Sequence, residues 1–554
     1  MLTVKNNRFQ HYRFCAIPVL LIVMLLPALV FSSGFEDSGL ELRSTDENGP
    51  AGEISTAKLI PGEDILWALW LDNRNEPERF GGIPCLQGIT ENGSLVFQSD
   101  GLILEDFGWC PDETAFDAIT DGEGGLIVCA TDEDREGFPK VIQRYDPTGE
   151  ELWNSPVIVE DVLLLQKMAS MGGGESLVLL SPDAPSLELL HIDSEGETTQ
   201  WTIFESIEGR NSAPVGIFTK TGGYLVLGRV VRSANSSEMR RLWLNSDGQP
   251  IGSLDGLLYY YGRVNEFDAV YLGSNKSLQF IIGNDFDLLG QYFPTTGYPN
   301  WTFEGVRLVQ GAVISSGACA ADNGFWLIAR QNNDDNDRII LRRWSFFPRP
   351  QTDALLLSDS PGHVSLINPA PDGGGGIFLT YHDSNDRQSV VLQLDSGGNL
   401  CEGYEEPVPL DNLEFPAEAK DLERKWNDFF VVYIQDRWES GRNGLVLQKF
   451  TNILPDYTPE STKNDILSSF EIFSAYPNPF NGWVSIDIHM PTNSLTELEV
   501  YDLMGRLASS RTLENVNAGR YLIPVNFENL PSGSYIIKAS SAENTCQKRV
   551  TLVK

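Results

Sequence analysis

The sequence predicts an all-β chain: a β-propeller of about eight four-stranded blades, followed by a C-terminal Ig-like β-sandwich. Two landmarks recurring together along the first 450 residues point to the propeller, and a change of grammar after them points to the sandwich. The first landmark is a Gly-rich or polar turn feeding an apolar run. It begins near Ile65, Leu126, Leu177, Tyr224, Leu278, Phe325, Ile377 and Phe429, at intervals of 47 to 61 residues. The second is a tight Asp/Asn–Gly or Thr–Gly turn beginning some 16 to 25 residues further on. Examples are Asp146 to Gly149, Asp193 to Gly196, Asn245 to Gly248 and Asp395 to Gly398.

The second repeat is the most complete. A strand over Phe116 to Thr120 meets the turn Asp121-Gly122-Glu123-Gly124-Gly125, and an apolar strand over Leu126 to Ala130 follows. Next come an acidic loop, a strand from Val141 to Tyr145, the turn Asp146-Pro147-Thr148-Gly149 and a last strand starting at Leu152-Trp153. Four short strands joined by such turns form an antiparallel meander. One meander cannot bury both its faces alone, so a repeat of this length must stack on copies of itself, as propeller blades do. The eighth copy ends near Phe450 after its middle strands, and the segment Leu40 to Arg43 is placed to supply the missing outer strand. Seven blades with an extra hairpin is the rival count, and an open solenoid the rival architecture. The turns running Asp146 to Trp153 and Asp193 to Trp201 resemble the D-x-x-G-x-x-x-W turns of quinoprotein-like bacterial propellers. That resemblance implies the architecture and not a quinone, because tryptophan after such a turn serves blade packing.

Ahead of the repeats stands a processing segment over residues 1–32. Lys5, Arg8 and Arg13 form a basic start, Ala16 to Val30 is uncharged and apolar, and Val30 and Ser32 precede a cleavage point before Ser33. The apolar run falls short of the ~20 residues that span a bilayer as a helix, which favours a signal peptide over a retained anchor. The body is expected over residues 33–453. Its six cysteines, with that of the C-terminal module counted, are scattered without a C-x-x-C pair, and buried free thiols are expected. The 77 acidic residues outnumber 40 basic ones, for a formal net charge of −37. Such a field excludes a nucleic acid partner, because binding to a polyanion needs basic surface.

Residues 454–469 (L-P-D-Y-T-P-E-S-T-K-N-D-I-L-S-S from Leu454) read as a linker. The remaining 470–554 alternate apolar and polar residues over Val484 to His489, Glu497 to Tyr501, Tyr521 to Val525, Tyr535 to Ala539 and Arg549 to Val553, as sandwich strands do. Tyr476-Pro477-Asn478-Pro479-Phe480-Asn481 resembles the opening of type IX secretion sorting domains. Tyr501-Asp502-Leu503-Met504-Gly505-Arg506 resembles their V-Y-D-x-x-G-R hairpin, and Gly519, Tyr521, Gly533 and Tyr535 fall in their A-G-x-Y and L-x-x-G-x-Y signatures. The basic ending from Lys548 to Lys554 matches as well. The resemblance covers the last sixth of the chain. It implies Sec export, passage through the type IX machinery, removal of the domain, and release of the body or its attachment to surface lipopolysaccharide.

No catalytic constellation is legible in the body. His191, His363, His382 and His489 are dispersed, and neither H-E-x-x-H nor G-x-S-x-G occurs. The loop from Asp132 begins like a Ca²⁺ loop but has Gln143 at its twelfth position, where the bidentate Glu belongs. Asn333 to Asp337 is a second loop of hard oxygen donors, and both also read as solvated turns. Two functions stand. One is a non-enzymatic binding or scaffold body with a protein or glycan ligand. The other is a secreted polysaccharide-acting hydrolase or lyase with paired carboxylates at the channel mouth, a pair the sequence does not single out.

Overall fold

The computed structural model describes residues 39–452 and 471–553 apart from short stretches, the longest being 45–52, 205–212, 359–363, 411–416 and 477–482. The segment 1–38, with Ser32 and Ser33, and the linker lie outside the described residues. Among the described residues there is no α-helix. The body forms eight antiparallel sheets, each with four strand positions. The first runs Ile54–Pro61, Ile65–Asp72, Ile83–Thr90 and Leu102–Ile103, and the second Phe116–Thr120, Leu126–Thr131, Lys140–Tyr145 and Val157–Val159. The others cover 162–203, 213–262, 266–309, 312–358, 364–409 and 417–450. Some positions are split between two short strands, and the last two sheets are joined by a single parallel pairing of Gln388 with Ala417.

All eight first-landmark positions fall within the opening residues of the second strand of a sheet. The reason is burial on both faces. In Leu126–Thr131, Leu126, Val128 and Ala130 pack against the first sheet, while Ile127 and Cys129 pack against the third. A strand covered on both sides must be apolar at every position, and an unbroken run results. The same scheme continues around the body. Phe325 and Leu327 meet the fifth sheet and Trp326 and Ile328 the seventh, and Phe378 stacks on Phe429 of the eighth at 4.3 Å. Phe430, Val432 and Leu445 of the eighth sheet then pack against Ala57, Leu66 and Trp70 of the first. The first strand of each sheet lies beside the first strand of the next, and Ala417–Lys425 lies beside Ile54–Pro61.

Four of the second-landmark turns share one chemistry. A side-chain oxygen at the first position accepts the amides two and four residues on, and the glycine between them has positive φ. Asp146 accepts from Thr148 and Glu150 at 2.8 and 2.9 Å, with Gly149 at φ 84°. Asp193, Asn245 and Asp395 do the same. Asp121 and Asp372, in the turns before the second strands, repeat it again. Asp and Asn at the head of such turns satisfy backbone donors that no strand pairs, and glycine takes the left-handed conformation without strain. A further regularity went unread in the sequence. Buried Gln87, Gln143 and Gln291 each bond the backbone ten residues on, at Phe97, Trp153 and Trp301. The last strand of the second repeat begins at Val157, not at Leu152, because Trp153 is buried in the approach with its indole N–H on the Ser194 carbonyl.

The strand Leu40–Arg43 pairs antiparallel with Arg442–Phe450 and gives the eighth sheet its fourth strand. Arg43, fully buried, donates to both oxygens of buried Asp72 at 2.8 and 3.3 Å and to the Asn443 carbonyl at 2.6 Å. Asn443 in turn bonds both backbone groups of Ile54. Beyond the body, Glu471–Tyr476, Trp483–Met490 and Gly519–Asn526 form one sheet, and four strands over 494–552 form another. Their facing side chains, among them Ile486, Ile488, Val500, Phe527, Ile537 and Val550, make one separate core.

Removing one partner of a buried ion pair leaves the other charge uncompensated. R43A is therefore expected to lose about 3 kcal/mol of stability, read as a lower urea midpoint. A loss below about 0.5 kcal/mol, the range of an ordinary surface change, would contradict this role.

Candidate functional site

Two places gather functional chemistry: the C-terminal module and the row of first strands. In the module, the hairpin between Ser494–Asp502 and Leu507–Val516 turns on Asp502. Its Oδ1 accepts the amides of Met504 and Arg506 at 2.9 and 3.0 Å, Gly505 has φ 76°, and Arg506 Nε donates to Oδ2 at 2.7 Å. Those hydrogen bonds, that from the Arg506 amide first, hold the Asp502 carboxyl below the usual carboxylate range. The tip so fixed presents Leu503, Met504 and Leu507 to solvent, with Met504 81% exposed. Tyr501 is half-buried on the strand leading into it.

The L-x-x-G-x-Y signature has an equally local cause. Tyr535 is buried edge-on against Phe527 at 5.3 Å, and its hydroxyl folds back to donate to the Pro531 carbonyl at 2.6 Å. A tyrosine that anchors a strand to backbone a few residues upstream is a recurring device of sandwich corners. Gly533 opens the strand Gly533–Ser540, Gly519 and Tyr521 lie in Gly519–Asn526, and half-buried Lys548 lies in Thr545–Leu552. Tyr476 ends the first strand of the module. Pro477, Asn478, Pro479, Phe480, Asn481 and Lys554 lie outside the described residues.

In the body, the first strands of the eighth, first and second sheets carry five charged side chains that sequence reasoning did not single out. Lys58 donates to the Phe116 carbonyl at 2.8 Å and pairs with Asp117 at 3.3 Å. Asp421 accepts the Leu59 amide at 2.8 Å and the Leu422 amide at 2.8 Å. Glu423, two residues on and half-buried, has its carboxyl pushed up to about 8 by burial and then by Asp421. Lys425 donates to the carbonyls of Gly62 and Glu63. Only the alternation of acids at 421 and 423 was available as a signal, and it marks a strand face without saying what lies opposite.

The other sequence candidates are committed to the fold. Asp134 bonds Arg79 at 2.8 Å and the Trp109 amide at 3.0 Å, and Asp132 bonds Arg135 at 2.6 Å. Gln143, the twelfth residue of that loop, faces the Trp153 carbonyl. No three His, Cys, Asp or Glu side chains among the described residues are placed to hold a metal ion. The loop at Asn333 to Asp337 falls partly outside the described residues. His191 contacts Glu175 at 2.9 Å and His382 contacts Ser389 at 3.1 Å. Cys85, Cys110, Cys129 and Cys401 are buried free thiols, and burial pushes Cys110 and Cys129 up to about 12. A thiol so raised is no nucleophile at neutral pH.

Residues 474–553 match the family model described as a secretion system C-terminal sorting domain. The C-terminal module is a type IX secretion sorting domain. It couples the chain to the type IX secretion machinery and directs export to the cell surface or extracellular space. No curated protein matches the chain in sequence. Among solved structures, the chain is similar to the BP39L lectin of Burkholderia pseudomallei, at 13% identity over 64% of this chain and 99% of the lectin, with a TM-score of 0.41. It is similar to the polysaccharide lyase Uly1 at 9% identity over 74% of this chain and 92% of that one, with a TM-score of 0.41. PorZ, a surface component of the type IX secretion system of Porphyromonas gingivalis, aligns at 10% identity over 92% of this chain and 82% of its own, with a TM-score of 0.27. The body is all-β and propeller-like, and likenesses this distant carry no argument about a ligand or reaction.

Tyr535→Phe in the sorting domain is expected to cost about 1 kcal/mol, since it strips a donor from the Pro531 carbonyl, read by thermal unfolding of the module's signal. Glu423 gives a pH signature. From its ordinary 4.5 to about 8, the folded chain holds a proton that the unfolded chain has released. Stability contributed by this group therefore falls as pH rises through that window. Glu423→Gln is expected to flatten the fall in denaturation midpoint between those limits, and an unchanged profile would contradict the assignment.

Proposed function

We propose that the chain is an exported, non-enzymatic binding or scaffold protein. Its body, residues 33–453, is a closed eight-bladed β-propeller that presents loops to a protein or glycan ligand. Closure is supported by the pairing of Leu40–Arg43 with Arg442–Phe450 and by the packing of the eighth sheet on the first. The sorting domain is an Ig-like sandwich, a reading supported by its two antiparallel sheets about one core and by the Tyr535 corner. The observation that carries export is the sorting-domain match over residues 474–553. In this reading, residues 1–32 are a Sec signal peptide cut between Ser32 and Ser33, and the 454–469 linker is where the sorting domain is removed. The body is then released or joined to surface lipopolysaccharide. The binding reading rests on the structural contacts of His191 and His382, the burial of Cys85, Cys110, Cys129 and Cys401, and the hydrogen bonds that hold Asp132 and Asp134.

One observation favours a second reading, a polysaccharide-acting hydrolase or lyase. A carboxylic acid held protonated near neutrality beside a hydrogen-bonded carboxylate, as Glu423 is beside Asp421, is the pairing glycoside cleavage uses. Loss of polysaccharide depolymerisation in Glu423→Gln and Asp421→Asn, with binding intact, would establish it over the first.

Mass spectrometry of the protein recovered from the medium and cell surface of its host tests the main reading. Mature ends at Ser33 and within 454–469 are expected. An intact C-terminus on exported protein, with export surviving deletion of 470–554, would overturn it.

A further inference from the structure

The residues that make the sorting motifs legible are spent within the module itself. Asp502 and Gly505 shape the hairpin turn, Arg506 pairs with Asp502, and Tyr535 is buried with its hydroxyl on the Pro531 carbonyl. Side chains committed to holding their own fold have little left to offer a partner. Recognition then falls to the residues that this framework displays. At the hairpin these are Leu503, Met504 and Leu507.

The three side chains are 61%, 81% and 54% exposed. Among the described residues of the module, Val553 is the only other large apolar side chain left so exposed. Single apolar residues in water are ordinary on a protein surface, but three on one turn form a patch. Every residue from 503 to 511 is exposed, and a Cβ added at Gly505 would meet nothing within 4 Å. Gly505 is therefore required for its left-handed backbone and not for close packing. The arm is nonetheless anchored, because Leu498 and Val500 on the strand leading to it are buried in the module's core.

The tip is ordered and electrically neutral. Backbone bonds from Gly505 to the Asp502 carbonyl and from Asp502 to the Arg506 carbonyl, both 3.0 Å, add to those of the Asp502 carboxylate. A turn fixed before it docks loses little conformational freedom on docking. Arg506 is paired with Asp502 at 2.7 Å, and no other charged residue lies between 502 and 510. In a chain of net charge −37, this tip has to be recognised by burial and not by attraction of opposite charge. Leucine and methionine suit that role, since both fill a pocket without a strong hydrogen-bonding group to satisfy.

Size and charge decide which partner fits. Three side chains on one turn offer far less than the ~800 Å² that each side of a stable protein–protein contact buries, so two copies meeting tip to tip would not hold. An anionic lipid surface favours flanking basic charge, and the basic side chain at this tip is answered by Asp502. A pocket that encloses the tip buries most of it, as a hot-spot anchor is buried. The module couples the chain to the type IX secretion machinery, and that role supplies the occupant. We propose that Leu503, Met504 and Leu507 form an apolar knob that seats in a hydrophobic pocket of a protein of that machinery. The knob rests on the export role of the module and names the surface through which it acts.

Export of the full chain in its host tests it. The polar pair L503Q/M504Q, two exposed changes, is expected to lower the exported fraction at least about tenfold, the effect of losing a hot-spot anchor, with thermal unfolding unchanged. The apolar pair L503I/M504L is expected to keep more than about half of the parental export, because near-equal volumes are tolerated in a pocket. A photo-crosslinking residue at position 504 should join a protein of the type IX machinery, identified by mass spectrometry. One at exposed Thr545, on the opposite edge strand of the same sheet, should not. The crosslink decides the matter even if a variant is destabilised. If deletion of 470–554 blocks export and L503Q/M504Q exports at the parental level, the knob is overturned and the sorting reading stands. If the deleted chain is exported normally, the sorting reading fails and the knob with it. Equal loss in the polar and apolar pairs, or equal crosslinking from 504 and 545, would also overturn the proposal. So would binding to phosphatidylglycerol vesicles, or a concentration-dependent dimer, that L503Q/M504Q abolishes, which would assign the tip to a lipid surface or a second copy.

Discussion

Asp72 is the point through which the two ends of the body are held together. Its carboxylate accepts from Arg43, which arrives on the N-terminal strand, and from Arg74 and the Trp70 indole in its own sheet. Arg43 extends the same network to the Asn443 carbonyl, and Asn443 bonds Ile54. Segments as far as 400 residues apart in sequence thereby share one polar network. Without Leu40–Arg43 the eighth sheet would have only three strands, and the apolar row of Leu445 and Leu447 would lose the cover of Leu42. The entropy of joining distant segments grows only logarithmically with separation, about 0.6 kcal/mol for each doubling. A long closure is therefore only slightly harder to sustain than a short one of the same bonding quality. A fully buried ion pair adds little net stability when it is intact, but it penalises every arrangement in which one partner is missing. It acts as a register pin.

What was legible in the sequence follows from how local the physical cause is. The second strands are visible because both faces are buried, which forces unbroken apolar runs such as Leu126 to Ala130. The turns are visible because an Asp or Asn side chain and a left-handed glycine are required at fixed spacing, as at Asp395 and Gly398. Outer strands are poorly visible. Val157–Val159 is three residues long and half-exposed, and the aromatic signal before it belongs to the packing of Trp153. The ten-residue spacing from Gln87, Gln143 and Gln291 to the loops they support was present in the sequence, but a buried glutamine resembles a surface one until its partner is known.

The same distinction separates the two candidate sites. The sorting motifs were legible because each encodes its own turn: Asp502 closes a hairpin within four residues, and Tyr535 bonds Pro531 four residues back. The grouping of Lys58, Asp117, Asp421 and Glu423 was not, because it exists only when the eighth sheet packs against the first and the first against the second. No local pattern records that meeting. The meeting of these first strands therefore depends on the packing of the eighth sheet on the first, where Asp72 ties the N-terminal strand into the network. Export rests on a different, self-contained module with its own core.

Hydrogen–deuterium exchange of the intact chain tests this dependence most directly. If the N-terminal strand closes the body, the amides paired between 40–43 and 445–447 exchange as slowly as those of Ile65–Asp72 and Asp428–Arg437, in one cooperative unit. Rapid exchange of the 40–43 and 445–447 amides while the strands inside them stay protected would contradict it, and would describe an open array of sheets with a loosely attached end.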